Sequence, residues 1–156
     1  MGFVVFDFRP FCSPCLWCCH GEHVYVSTAE QDALGVDRFT GSPSEDGACE
    51  KLDRSTGLCS VHDRRPTECR LFPLDLLAVD GVVHWVVWRG ACPAVPALPD
   101  GYADREADRW DATLDPAWVE AYVEHHRANQ PAKYRPDMFT VLRPYKAGVI
   151  RGPTPA

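Results

Sequence analysis

Thiols carry most of the reactive chemistry in this sequence. All eight cysteines fall between residues 12 and 92, and four form one knot, Cys12-Ser13-Pro14-Cys15-Leu16-Trp17-Cys18-Cys19. Cys49, Cys59, Cys69 and Cys92 arrive singly afterwards. Crowded thiolates are soft, negatively charged ligands that repel one another unless a cation or a disulfide joins them. Ligands three residues apart let one loop wrap a single metal or one corner of an iron–sulfur cube. Adjacent side chains point apart, so Cys18 and Cys19 do not both suit one mononuclear ion. Either a polynuclear cluster or two metal sites follows. Cys12, Cys15 and one of Cys18 or Cys19 are expected at one centre, completed by a distant cysteine. The other member of the pair turns toward Cys49, Cys59 and Cys69.

The second half of the pattern runs Cys59-Ser60-Val61-His62-Asp63-Arg64-Arg65-Pro66-Thr67-Glu68-Cys69-Arg70-Leu71-Phe72-Pro73. An Arg-Pro turn separates Cys59 from Cys69. Arg64, Arg65 and Arg70 place positive charge beside the thiolates, where it offsets excess negative charge and tunes a redox potential. His62 and His20 read better as hydrogen-bonding loop residues than as ligands. Zinc knuckles usually carry glycine just after their C-x2-C pair, whereas here Leu16 follows Cys15 and Cys19 follows Cys18. C-x2-C-x2-C with a remote Cys92-Pro93 is closer to the bacterial ferredoxin pattern, although that pattern keeps its Cys-Pro nearby. Eight thiolates would equally make two four-thiolate zinc sites. The reading therefore leans to an iron–sulfur cluster, with zinc as the alternative.

These residues resemble the CxxCxxCC, or YkgJ-type, cysteine-cluster family, a zinc- or iron-chelating domain. The carriers are the knot, Cys49, Gly57-Leu58-Cys59-Ser60-Val61-His62, Arg65-Pro66-x2-Cys69-Arg70-x-Phe72-Pro73, and Cys92. The resemblance implies that Cys12, Cys15, Cys18, Cys19, Cys49, Cys59, Cys69 and Cys92 are the metal ligands. A domain of this type also occurs in flagellin lysine N-methylases, but no cofactor-binding signature here supports methyl transfer.

The elements that must hold this pattern are short. With 156 residues, 46% hydrophobic and 24% charged, the chain has the composition of one globular domain. Residues 12–93 make the cysteine-cluster region, and residues 94–156 make a linker, a helix and a basic tail. The expected class is α+β: a small, irregular, metal-stapled domain with an antiparallel β-hairpin, long loops and a few short helices. The first ten residues read as a strand and not as a signal peptide, and no apolar run is long enough for a membrane span. A reducing cytoplasm is then the expected compartment, where clustered cysteines bind metal more often than they form disulfides. Residues 1–126 hold 10 basic and 21 acidic side chains and residues 127–156 hold 6 and 1, giving −11 and +5. The acidic body argues against a nucleic-acid partner. The tail (Arg127, Lys133, Arg135, Arg143, Lys146, Arg151) is expected to fold back on that body.

His23-Val24-Tyr25-Val26 alternates like a strand, and Ser27 with Glu30 makes a capping box that starts a helix running to about Gly35. Residues 40–48 are a polar loop. Asp80-Gly81 joins the runs 74–79 and 82–89 in a hairpin that leads to Cys92. Trp85 and Trp88 should face opposite sides of it, with core packing the default for both. Residues 93–101 look like a rigid linker. Asp115 and Pro116 start a helix that ends before Pro131, burying Trp118, Val119, Tyr122 and Val123. His125 and His126 in its last turn are expected to be solvated, and the tail beyond is irregular. Two functions fit: an iron–sulfur protein with a redox, electron-transfer or cluster-dependent role and a protein or redox partner, or a zinc-stapled interaction module. G-x-S-x-G, P-loop and H-E-x-x-H motifs are absent. Whether the chain is an enzyme stays open.

Overall fold

In the computed structural model, residues 6–15, 24–34, 49–129 and 136–146 are described. Along them run helices α1 (Arg9–Cys15) and α2 (Thr28–Leu34), then strands β1 (Leu52–Asp53) and β2 (Leu58–Cys59). Helix α3 (Thr67–Leu71) precedes strands β3 (Leu74–Val79) and β4 (Val82–Val87). Helices α4 (Tyr102–Asp111) and α5 (Pro116–Asn129) and strand β5 (Thr140–Pro144) complete the order. The class is α+β, with two antiparallel sheets: β1-β2, and β3-β4-β5 in that order.

Asp80-Gly81 makes the expected two-residue turn. Val79 pairs with Val82, and the turn residues hold φ of 51° and 78°, the positive values a type I′ turn demands. The pleat then sorts the strands' side chains onto two faces. Leu74, Leu76, Val83 and Trp85 pack with Leu71, Ala107, Trp110, Val119, Tyr122, Val123 and Tyr145. Leu77, Val86 and Trp88 pack with Ala91, Phe72, Met138 and Phe139 on the other face. Trp85 and Trp88 thus fall in different clusters, both buried. Buried Asp75 joins the two clusters. It accepts hydrogen bonds from Trp88 Nε1 (2.9 Å) and from the Tyr122 hydroxyl. Neither cluster contains a described cysteine.

Helix α5 starts as its sequence dictates: Asp115 Oδ1 accepts the Ala117 amide at 2.9 Å, and Pro116 occupies the first position. The structure departs from the sequence reading in four places. Phe6–Phe8 form no strand and α1 begins directly at Arg9, while residues 1–5 lie outside the described part. Residues 93–101, read as a rigid linker, are mostly exposed, but Ala94 is buried and Val95–Ala97 make a 3-10 turn. Helix α4 was not expected, because only Ala107 and Trp110 of its ten residues are buried and Gly101 supplies no side-chain cap. Ala103, Ala107 and Trp110 nonetheless recur at helical spacing toward the core, a period already present in the sequence. Nor was β5 expected: it pairs with β4 through a register shift at Trp85/Val86, lacks strict alternation, and ends in Pro144 on the sheet edge.

The tail does return to the acidic body where it is described. Arg143 Nη1 lies 2.7 Å from Asp111 Oδ2 and its Nη2 lies 2.7 Å from Asp108 Oδ1. Asp111 Oδ1 also accepts Trp85 Nε1 at 2.8 Å, so the pairing pins β5 and α4 to the core face of β4. Lys133, Arg135 and Arg151 lie outside the described residues.

Candidate metal centre

Cys59 is delivered by a small hairpin. Asp53 Oδ1 accepts Ser55 N (2.8 Å) and Ser55 Oγ (2.6 Å), and Gly57 N donates back to Asp53 O at 2.8 Å. This side-chain turn folds β1 onto β2, placing Cys59 opposite Leu52. Leu52 N donates to Cys49 O at 3.0 Å, so Cys49 stands at the mouth of the same hairpin. Helix α1, which carries Cys12 and ends at Cys15, lies against β2. The chain then makes a 3-10 turn at His62–Arg64, and Arg65 and Pro66 run extended (ψ 151° and 155°) before α3 starts. The residue before proline avoids the helical region, so this Arg-Pro step separates the turn from the helix that carries Cys69.

Two carboxylates clasp α3 to the segment that follows the knot. Glu30 caps α2, its Oε2 accepting Ser27 N and Ser27 Oγ, both at 3.0 Å, while Ser27 Oγ accepts Glu30 N at 3.3 Å. Its other oxygen accepts Thr67 N, the first amide of α3, at 2.7 Å. Trp118 Nε1 of α5 donates to Oε2 at 3.3 Å. Glu68 reciprocates from α3, accepting the Tyr25 amide. This side-chain acceptor explains why residues 24–26 lack the strand that their alternation suggests: the Tyr25 donor is satisfied without a ladder. Val24 and Val26 are buried against Leu34, Cys49 and Cys69, which brings two of the eight cysteines to one apolar patch.

His126 corrects the expectation of a solvated pair. It is fully buried, and its Nε2 stands 2.9 Å from Glu68 Oε1, close enough for an ion pair but not aligned as a hydrogen bond. His125 lies beside Tyr25, with ring centroids 5.2 Å apart. These three contributors, Glu30, Glu68 and His126, escape a search for ligands, and only the capping spacing of Ser27 and Glu30 marks one of them in the sequence.

Burial pushes Glu30 up, yet hydrogen bonds from Thr67 and Ser27 outweigh it and hold the carboxyl below its ordinary value of 4.5. A depressed folded-state value means stabilisation that is complete above the unfolded value and is lost as pH falls through the folded one. Glu30→Gln should therefore cost about 1 kcal/mol at pH 7, and the gap to wild type should close as pH falls. Urea midpoints of both proteins across the acid range would check this, and a gap independent of pH would contradict it.

The arginines have defined work here. Arg65 Nη1 donates to His62 O at 2.7 Å and caps the 3-10 turn. Arg70 lies 5.5 Å from the Trp110 ring centroid, tying α3 to α4. Burial first, then the neighbouring Arg65 charge, pushes the His62 imidazole below its usual range, so a neutral ring is favoured there. Tyr102, half-buried against Phe6 and Phe8, is pushed up to about 12, chiefly by burial.

Cys12, Cys49, Cys59 and Cys69 are thus carried by neighbouring elements and are partly exposed, whereas Cys92 is buried. Cys92 N donates to Trp88 O at 3.3 Å, and Trp88 N donates to Pro73 O at 2.9 Å, which links its turn to the chain leaving α3. Among the described residues no three His, Cys, Asp or Glu side chains form a metal-holding group. The Cys15 side chain, together with Cys18, Cys19 and His20, lies outside the described part, as does the 40–48 loop. A thiol-rich donor set at the ends of short elements fits a soft metal ion or an iron–sulfur cluster. No helix among the described residues is long and apolar enough to cross a membrane.

Comparison with known proteins adds one match. The sequence model of the CxxCxxCC family, "Putative zinc- or iron-chelating domain", covers residues 11–93, just over half of the chain. That description supports metal binding and leaves the choice of metal between zinc and iron. No curated protein and no solved structure matches. With the cysteine pattern and the family model in agreement over the same residues, the chain belongs to the CxxCxxCC family.

Proposed function

We propose that this is a cytoplasmic redox protein whose cysteines hold an iron–sulfur cluster, with room for a second metal site, and which exchanges electrons with a protein partner or uses the cluster in a reaction. The ligands would be Cys12, Cys15, Cys18, Cys19, Cys49, Cys59, Cys69 and Cys92. Bound there, a cluster would supply a one-electron couple whose potential depends on charge, hydrogen bonding and exposure. The chain's own part is to gather thiolates from α1, the β1–β2 hairpin and α3, with the Glu30 and Glu68 clasp fixing the hairpin's neighbours. The partial exposure of four described cysteines suits access by a partner.

One observation favours this reading over a zinc staple. The three-stranded sheet and its helices have two apolar clusters of their own, built without a described cysteine. A fold with such a core does not depend on metal in the way that metal-stapled miniature domains do. Anaerobically isolated protein is therefore expected to be coloured, absorbing near about 400 nm, with iron in place of zinc. Colourless protein with stoichiometric zinc would overturn the iron–sulfur assignment.

A further inference from the structure

We propose that His126, far along the chain from every cysteine, is a positioning residue for the metal centre and acts through Glu68 on Cys69. The inference rests on the ligand role proposed above for Cys69. Its geometry is independent of that role. His126 is fully buried in the last turns of α5, and its Nε2 faces Glu68 Oε1 at 2.9 Å. Glu68 directly precedes Cys69 in α3, a helix of five residues, so fixing the Glu68 carboxylate fixes the turn from which the Cys69 side chain projects.

The same carboxylate accepts the Tyr25 amide through its second oxygen. Tyr25 stands six residues after Cys19, and its neighbours Val24 and Val26 pack on Cys69 and Cys49. Glu68 is thus held at one oxygen by the core helix and at the other by the chain emerging from the knot. The Tyr122 ring closes on His126 with centroids 4.5 Å apart, and Tyr122 is itself tied to Asp75. The imidazole is therefore locked from behind and bears on Glu68 from a rigid wall. Outer groups held this way orient first ligands, and their removal typically lowers metal affinity by roughly 10- to 100-fold.

The test uses the full chain with cobalt(II) as probe metal, whose thiolate charge-transfer band reports sulfur ligation. His126→Ala should weaken binding by roughly 10- to 100-fold and diminish that band. His126→Gln, whose terminal amide reaches the position of Nε2, should recover most of both, and it decides the matter if the alanine variant does not fold. In a Cys69→Ser background, the His126 substitutions should add nothing further. An equal loss in both backgrounds would make His126 merely structural and overturn the proposal. Unchanged cobalt binding in folded His126→Ala would overturn it as well. Wild-type protein that binds no cobalt would instead overturn the metal-centre reading, and this inference with it.

Discussion

Cys59→Ser is expected to strip the protein of the larger part of its metal while leaving the three-stranded sheet folded. Cys59 occupies the junction of the candidate centre: it ends β2, lies opposite Leu52 in the hairpin that begins at Cys49, and belongs to the strand against which α1 rests. A serine keeps the size and the hairpin pairing but removes the soft thiolate, so the loss would be one of ligation. The apolar clusters on both faces of β3 and β4 contain no described cysteine, so far-ultraviolet circular dichroism should change little. Metal analysis per chain, beside the dichroism spectrum, checks both halves. Full metal content in the variant would remove Cys59 from the ligand set.

The second large effect concerns the body. Asp75→Ala should destabilise the fold by about 3 kcal/mol, the sum expected when buried donors lose their acceptor at about 1–3 kcal/mol each. Those donors are Trp88 Nε1, the Tyr122 hydroxyl and the Leu76 amide, the last held by Oδ1 at 2.7 Å. The loss spans the sheet, because Trp88 and Tyr122 belong to different clusters. Asp75→Asn, which retains one acceptor oxygen, should cost less. Urea unfolding of the three proteins gives the ranking, and an Asp75→Ala midpoint equal to wild type would refute the bridge.

Much of this was legible in the sequence, for physical reasons that differ by element. Asp80-Gly81 sits between two β-rich runs, and the positive φ it must adopt leaves little else for the segment to do. Asp115-Pro116 and Ser27-Glu30 are local devices, complete within four residues, and both operate as written. What escaped depends on distant partners. The Tyr25 amide goes to a carboxylate 43 residues away, so its apparent strand never forms. Helix α4 shows only two buried side chains, and β5 exists because β4 offers it a ladder.

The candidate site divides in the same way. The cysteines announce themselves through spacing alone, because close thiolates have few alternatives to a metal. The proposed positioning residue and the core wall behind it do not. Asp75 sits in an apolar run, Leu74-Asp75-Leu76-Leu77, and a carboxylate there hints at a buried partner without naming it. His126 in the last turn of a helix has an ordinary role at the helix dipole, and nothing nearby in sequence points to Glu68.

The central claim is that the cysteines bind a metal through sulfur. X-ray absorption at the iron and zinc edges of anaerobically isolated protein, with metal counted per chain, tests it most directly. The expected result is stoichiometric metal, iron before zinc, with a first shell of sulfur at about 2.3 Å for any zinc present. Metal-free protein, or a first shell of nitrogen and oxygen at about 2.0–2.2 Å, would contradict it.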